Sequence, residues 1–229
     1  MEAIILAGGL GTRLRDIVHD VPKPMAPISG RPFLEIVFDS LVSNGFKRVI
    51  LSLCHMPEKI SNHFGDNYKG IEIIYNVEPF PLGTGGAIKQ SLKLASNRDI
   101  FIINGDTFLD LDYKKVYACY LKNKNPLIVI REVNNISRYG EVKINSNKII
   151  SFGSKTSNKQ SGYINAGCYI FHKDIFNEID LNESFSIEND FFPSAIIKNT
   201  YQFYIYNKLF IDIGIPTDFN KAQTILKDI

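Results

Sequence analysis

The chain has 229 residues, of which 45% are hydrophobic, 22% charged and 12% aromatic. At this length about 72% of the unfolded surface leaves water on folding, enough for one large core, so a disordered or fibrous chain is excluded. The 26 basic and 24 acidic residues leave a net charge of +2, which supplies no broad field for nucleic acid or a membrane surface, and neither is expected as a partner.

Ala3 to Leu6 is the first predicted strand, and Val49 to Leu53, Ile71 to Tyr75, Ile100 to Ile103 and Leu127 to Ile130 follow it as short apolar runs. Helical spacing joins Phe33, Ile36, Val37 and Leu41, then Ile60 and Phe64, then Ala87, Ile88, Leu92 and Ala95, then Tyr113, Val116, Tyr117, Tyr120 and Leu121. Such alternation predicts an α/β fold: a mostly parallel twisted sheet with helices on both faces, binding its ligands at the carboxyl ends of the strands. After Arg131 the pattern changes to Gly140 to Ile144, Ile149 to Phe152 and Tyr163 to Phe171, a small antiparallel insertion turned by Asn145-Ser146-Asn147. Ser154 to Gly162, rich in Ser, Asn, Lys and Thr, reads as a loop over whatever the sheet binds. Tyr201, Phe203, Tyr204 and Tyr206 suit a core strand or the interface of a homo-oligomer. A helix from Pro216 to Ile229 closes a single domain, 1–229, with halves of about 1–131 and 132–229.

Cys54, Cys119 and Cys168 are odd in number and widely spaced, which excludes a disulfide framework or zinc ribbon and points to a reducing compartment. The amino terminus lacks the basic flank of a signal peptide, and no segment approaches the roughly 20 apolar residues of a membrane span, so a cytoplasmic protein is expected.

The first strand runs into Gly8-Gly9-Leu10-Gly11-Thr12-Arg13-Leu14. Glycines there let backbone amides approach an anion, and Arg13 adds a cationic fork, so the loop suits a phosphate. It is not the dinucleotide fingerprint, because Leu14 stands where the third glycine is needed. Pro22-Lys23-Pro24 stiffens the backbone in an extended form around one ammonium, a second candidate phosphate ligand. Asp106 and Asp212 each follow an apolar run; together with substrate phosphates they would suit a hard divalent cation such as Mg²⁺. Asp110-Leu111-Asp112 is a rival D-x-D metal motif of the kind a nucleotide-sugar glycosyltransferase uses, although aspartates before a helix are common caps.

Gly8 to Leu14, Pro22 to Met25, Leu82 to Ala87, Asn104 to Asp106, Asn165 to Gly167 and Asp212 to Pro216 stand in the order seen in sugar-1-phosphate nucleotidyltransferases. The chain resembles that family over nearly its whole length. Its short length and its Pro81 to Ala87 stretch are most similar to the D-glycero-α-D-manno-heptose 1-phosphate guanylyltransferases. The resemblance implies a Rossmann-like nucleotidyltransferase fold and nucleotidyl transfer from GTP to a sugar 1-phosphate, giving a nucleotide sugar for surface polysaccharide synthesis. Mannose 1-phosphate with GTP, or N-acetylmuramate 1-phosphate with UTP, are the alternative substrate pairs. It implies nucleotide contacts for Leu6, Gly8, Gly9, Gly11, Thr12, Arg13, Glu78, Gly83, Thr84 and Gly85, and sugar-phosphate contacts for Gly140, Lys155, Asn165 and Glu188. Arg13, Lys23 and Asp106 are the implied catalytic residues, and Asp106 with Asp212 the implied Mg²⁺ pair. The family's usual Glu-Lys-Pro is replaced here by Ser154-Lys155-Thr156.

Overall fold

The apolar runs form the sheet that their alternation with helical segments predicts. A computed structural model describes residues 1–14, 17–155 and 160–229, with Ser154 and Lys155 described by their backbone. In chain order the elements are β1 (Glu2–Leu6), β2 (Pro27–Ile28), β3 (Arg31–Pro32), α1 (Phe33–Ser43), β4 (Arg48–Leu53), α2 (Pro57–Phe64), β5 (Asn67–Tyr68) and β6 (Ile71–Val77). There follow α3 (Gly83–Leu92), β7 (Asp99–Asn104), β8 (Thr107–Leu109), α4 (Tyr113–Leu121), β9 (Leu127–Val133), β10 (Gly140–Asn145) and β11 (Lys148–Lys155). The chain ends with β12 (Gly162–His172), α5 (Phe192–Lys198), β13 (Gln202–Ile205), β14 (Phe210–Asp212) and α6 (Pro216–Ile225).

β7, β1, β4 and β6 lie side by side and parallel. From β1 the chain steps outward to β4 and β6, then crosses back to set β7 on the other side of β1. The loops leaving β1 and β7 therefore diverge, and the crevice between them is where a sheet of this kind takes a ligand. Both faces of the sheet are covered, which is why its strands are near-continuous apolar runs rather than alternating ones. Ala3, Ile5, Phe101 and Ile103 face a core shared with α1, α2, α4 and α6. Ile4, Ile100 and Ile102 face the one shared with α3 and α5.

The antiparallel strands extend the same sheet: β12 pairs with β7, β9 and β10, and β10 with β11. Ser154 and Lys155 belong to β11 rather than to the following loop, whose residues 156–159 lie outside the described set. β13 runs parallel to β9, burying Tyr201 and Tyr206 at its ends and leaving Phe203 and Tyr204 partly covered. α6 returns to the first half of the chain, where Gln223 accepts from the amide of Ser29 at 2.8 Å and donates to the carbonyl of Pro27 at 2.7 Å.

Two local forms differ from expectation. Lys23 is not extended: Pro22 is (φ −64°, ψ 150°), but Lys23–Met25 form one 3₁₀ turn. Pro24 fits there because the first residues of a helical turn have no partner for their amides, so its missing donor costs nothing. α3 begins at Gly83, four residues before its apolar face starts. The amides of Gly85 and Gly86 both donate to the carbonyl of Phe185, at 2.9 and 3.3 Å, so a remote segment caps a helix start that has no side-chain cap among the described residues.

Gly83 has φ +69°, and a Cβ there would lie 2.6 Å from the Phe185 carbonyl oxygen. Left-handed backbone costs an L-residue roughly 1–2 kcal/mol, before any clash. Gly83→Ala is therefore expected to destabilise the fold by at least about 2 kcal/mol, read as a lowered thermal midpoint. A midpoint equal to wild type would show that the seam yields freely.

Candidate active site

Leu6 ends β1 with its carbonyl accepting from the amide of Gly105 at 2.9 Å, which ties the first glycine loop to the turn after β7. Between them opens a cleft of about 260 Å³, lined by Leu6, Gly8, Gly9, Lys23, Glu78, Gly83, Thr84, Asn104 and Asp106 among others. Gly8 is needed for packing, since a Cβ would meet the Cys54 amide at 3.0 Å, whereas Gly9 faces open space. Gly11 turns with φ +60° directly over the Lys23 side chain, 3.0 Å from where its own Cβ would stand. Thr12 and Gly11 do not line this cleft, and Arg13 lines the adjoining one.

Glu78 is buried, and each of its carboxylate oxygens has a partner while keeping a further lone pair: Oε1 accepts from Ser52 Oγ at 3.0 Å and Oε2 from the Leu82 amide at 3.1 Å. Asn76 extends the chain by donating to Ser52 Oγ (3.3 Å) and Ser91 Oγ (2.9 Å). This buried polar relay fixes the Leu82–Thr84 wall from β4, β6 and α3. Burial, with Glu78 nearby, pushes the Cys54 thiol up, so it stays protonated near neutrality.

β8 and β14 pair antiparallel with Asp212 opposite Thr107, and the amide of Ile213 donates to the carbonyl of Asp106 at 3.0 Å. That short ribbon brings two carboxylates, almost half the chain apart, to one ammonium. Lys23 Nζ lies 2.5 Å from Asp106 Oδ2 and 4.0 Å from Asp212 Oδ1, with its side chain only 9% exposed. Burial pushes the Asp212 carboxyl above the usual carboxylate range and Asp106 adds to it; Lys23 and the Gly214 amide, 2.7 Å away, oppose them. Two acids around one fixed cation leave net negative charge, the condition under which a divalent cation is bound favourably.

Asn104 and Asp106 also border a second cleft of about 180 Å³, lined by Arg13, Arg138, Gly140, Asn165, Glu188 and Asp212 among others. Two irregularities aim its side chains. The β12–β9 register shifts between Asn165 and Tyr169, a bulge in which Gly167 has φ +73° and a Cβ would strike Asn104 Nδ2 at 2.5 Å, so that glycine suits the position on both counts. Glu188 sits in a π-helical turn, Ile187–Phe191, a form common at functional sites. Asn165 Nδ2 donates to Glu188 Oε1 at 2.7 Å and to the buried Tyr169 hydroxyl at 2.6 Å, while its Oδ1 accepts from the Gly167 amide at 3.0 Å. Gly140 pairs with Lys155 in the sheet, which sets the Lys155 backbone beside the cleft.

Arg138 was not singled out by sequence; it carries a guanidinium into this cleft, held 2.8 Å from Asp218 on α6. Its signal was available, since Arg138 stands two residues before Gly140, itself named for the sugar phosphate. Asp110 and Asp112 line neither cleft. Asp112 instead caps α4 by accepting from the Lys115 amide at 3.1 Å.

Against known families, residues 2–228 match the model described as nucleotidyl transferase. The chain belongs to that family. A D-glycero-α-D-manno-heptose 1-phosphate guanylyltransferase of Campylobacter jejuni is 44% identical over 220 residues, covering 96% of this chain and 97% of its own. One of the same name from Aneurinibacillus thermoaerophilus is 42% identical over 228 residues, 99% of each chain. The crystal structure of HddC from Yersinia pseudotuberculosis complexed with GMP-PN superposes with a TM-score of 0.86 at 37% identity, covering 99% of both chains. Mannose-1-phosphate guanylyltransferase of Mycobacterium tuberculosis is 30% identical over 99% of this chain but only 64% of its own. The two clefts meet at Asn104 and Asp106, a geometry in which two polyanions can be brought end to end. No helix among the described residues is long and apolar enough to cross a membrane.

Proposed function

We propose that this nucleotidyltransferase moves a guanylyl group from GTP to D-glycero-α-D-manno-heptose 1-phosphate, releasing pyrophosphate and forming a GDP-sugar for surface polysaccharide. The observation that carries the reaction is the Lys23–Asp106–Asp212 cluster where the two clefts meet. GTP would occupy the larger cleft along Leu6, Gly8, Gly9, Gly83 and Thr84, and the sugar phosphate the smaller one beside Gly140, Lys155, Asn165 and Glu188. A phosphate oxygen of the sugar attacks the α-phosphorus in line and pyrophosphate leaves. That oxygen is already ionised, so the protein needs no general base, only alignment and neutralisation of charge.

Lys23 is held by its acids at the junction, where it would meet the phosphate under attack, and Arg13 would grip the departing pyrophosphate. Asp106 and Asp212 form a donor set that suits Mg²⁺ completed by substrate phosphate oxygens. When bound, that ion would supply further neutralisation of the phosphates. Guanine presents two adjacent donors on one edge where uracil presents one, and the Glu78 carboxylate on the cleft wall, an acceptor only, favours guanine. The free thiols of Cys54, Cys119 and Cys168 agree with a reducing, cytoplasmic setting.

Pyrophosphate release measured with four nucleoside triphosphates against several sugar 1-phosphates tests this. GTP with the heptose 1-phosphate is expected to give the highest kcat/KM, and mannose 1-phosphate, lacking the extra hydroxymethyl group, a lower one. A roomy pocket would separate the two sugars by only about 10 to 200-fold, whereas a hydrogen-bonded hydroxyl separates them more strongly. Higher turnover with UTP or dTTP for every sugar would overturn the guanylyl assignment and leave nucleotidyl transfer standing.

A further inference from the structure

The wall of the first cleft and the acid of the second are joined by one short segment. Glu183 to Phe185 lies so closely on the start of α3 that a Cβ on Gly85 would stand 2.1 Å from the Phe185 ring, and one on Gly86 2.4 Å from the Glu183 carbonyl oxygen. The contact is hydrogen-bonded in both directions: Phe185 donates its amide to the Leu82 carbonyl at 3.0 Å and accepts from the Gly85 amide at 2.9 Å. Ser184 Oγ adds a bond to the Pro81 carbonyl at 3.3 Å. Immediately beyond, the amide of Ile187 donates to Thr84 Oγ1 at 3.0 Å.

Ile187 is the first residue of the π-helical turn, and Glu188 is the next. That turn is pinned at its start by reciprocal bonds, Ser186 Oγ accepting from the Asn189 amide (3.2 Å) and Asp190 from the Ser186 amide (2.7 Å). Shifting Ile187 therefore shifts Glu188, whose Oε1 holds Asn165 in the sugar-phosphate cleft. Thr84 meanwhile lines the nucleotide cleft. Its oxygen accepts from the sugar side, and its own proton remains to donate to a group in the nucleotide cleft, which would strengthen the first bond.

We propose that Thr84 is a positioning residue for Glu188: by bonding a nucleotide with its proton and Ile187 with its oxygen, it makes sugar 1-phosphate binding tighter once the nucleotide cleft is filled. The proposal rests on the assignment of the two clefts made above. It also accounts for the three glycines of Gly83-Thr84-Gly85-Gly86, which bring the seam close enough for a threonine hydroxyl to span it.

The test is calorimetric titration of mannose 1-phosphate into the enzyme, with and without a non-hydrolysable GTP analogue, for wild type, Thr84→Val and Thr84→Ser. Wild type is expected to bind the sugar phosphate at least about 5-fold more tightly with the analogue bound, in the range usual for coupled sites. Thr84→Val, which keeps the shape and loses the acceptor, is expected to bring that ratio to about 1 and Thr84→Ser to retain it. A wild-type ratio in Thr84→Val overturns the proposal, as does the absence of coupling in wild type. Should Thr84→Val not fold, amide hydrogen exchange in unmodified enzyme decides: the analogue alone should slow exchange over residues 184–189, and unchanged exchange overturns the link. Failure of the analogue to bind at all would overturn the nucleotide assignment, and with it this one; binding without coupling overturns only the link.

Discussion

Asp212→Asn is expected to lower kcat by about 100-fold or more while the melting temperature at neutral pH, measured in chelator, stays at or above that of wild type. The two halves of that expectation have one cause. Burial and the neighbouring Asp106 raise the Asp212 carboxyl above its ordinary value of 3.8. A carboxyl raised in the fold holds its proton more firmly there than in the unfolded chain. The folded state is therefore unpenalised below the unfolded value, loses stability as pH rises toward the folded value, and bears the full cost above it. Asparagine is the shape of the neutral form and can still accept from the Gly214 amide, so it escapes that cost while losing the charge proposed to hold the metal. Scanning calorimetry and steady-state pyrophosphate release on the same preparation provide the check. Near-wild-type turnover at saturating Mg²⁺ would remove Asp212 from the catalytic cluster, and a much lower midpoint would show that its charge is structural.

Lys23→Ala should lower kcat/KM for the triphosphate by roughly 10² to 10³, the usual cost of deleting one preorganised charge from a reacting phosphate's surroundings. It also leaves Asp106 and Asp212 facing each other without the ammonium now 2.5 Å and 4.0 Å from them. The variant is thus expected to melt lower than wild type in chelator and to regain more stability than wild type on adding Mg²⁺, since anything that binds only the folded state stabilises it. Arg13→Ala should behave otherwise, losing triphosphate affinity with little change in melting temperature, because the ion pairs to the two acids come from Lys23 and Arg13 is the weakest of the influences on Asp212. Equal magnesium responses in Lys23→Ala and wild type would separate the carboxylate pair from cation binding.

The parallel strands and the chemistry-bearing loops were legible in the sequence because both depend on local pattern. Ala3 to Leu6 is apolar on both faces as a central parallel strand must be, and Gly8 to Arg13 follows it without interruption. Asp106 and Asp212 were legible as strand-end acids, but nothing local says that Thr107 pairs with Asp212, the register that makes them partners. The seam under Gly83 to Gly86 was hidden for the same reason: three glycines read equally well as a flexible loop until Phe185 is laid on them. Asn165 and Glu188 were named from the family resemblance, yet the bulge and the π-helical turn that aim them arise from pairing and packing around β12 and α3, which no single segment encodes. Lys23 shows the opposite failure, a local rule overridden, since the preference of a residue before proline for extended backbone gave way to a 3₁₀ turn.

The β8–β14 ribbon also has a consequence for the order of assembly. Its three residue pairs close a segment that contains the whole antiparallel half of the sheet, together with α4 and α5. Closing so long a loop early would cost chain entropy that three pairs cannot repay, so the ribbon should form only after the intervening strands have shortened the gap. Competence would then arrive as a late event in folding, behind compaction. In refolding from denaturant, tyrosine fluorescence should recover before pyrophosphate-releasing activity, and the lag should lengthen in variants that weaken α6 docking, such as Gln223→Ala, whose side chain hydrogen-bonds the β2–β3 hairpin.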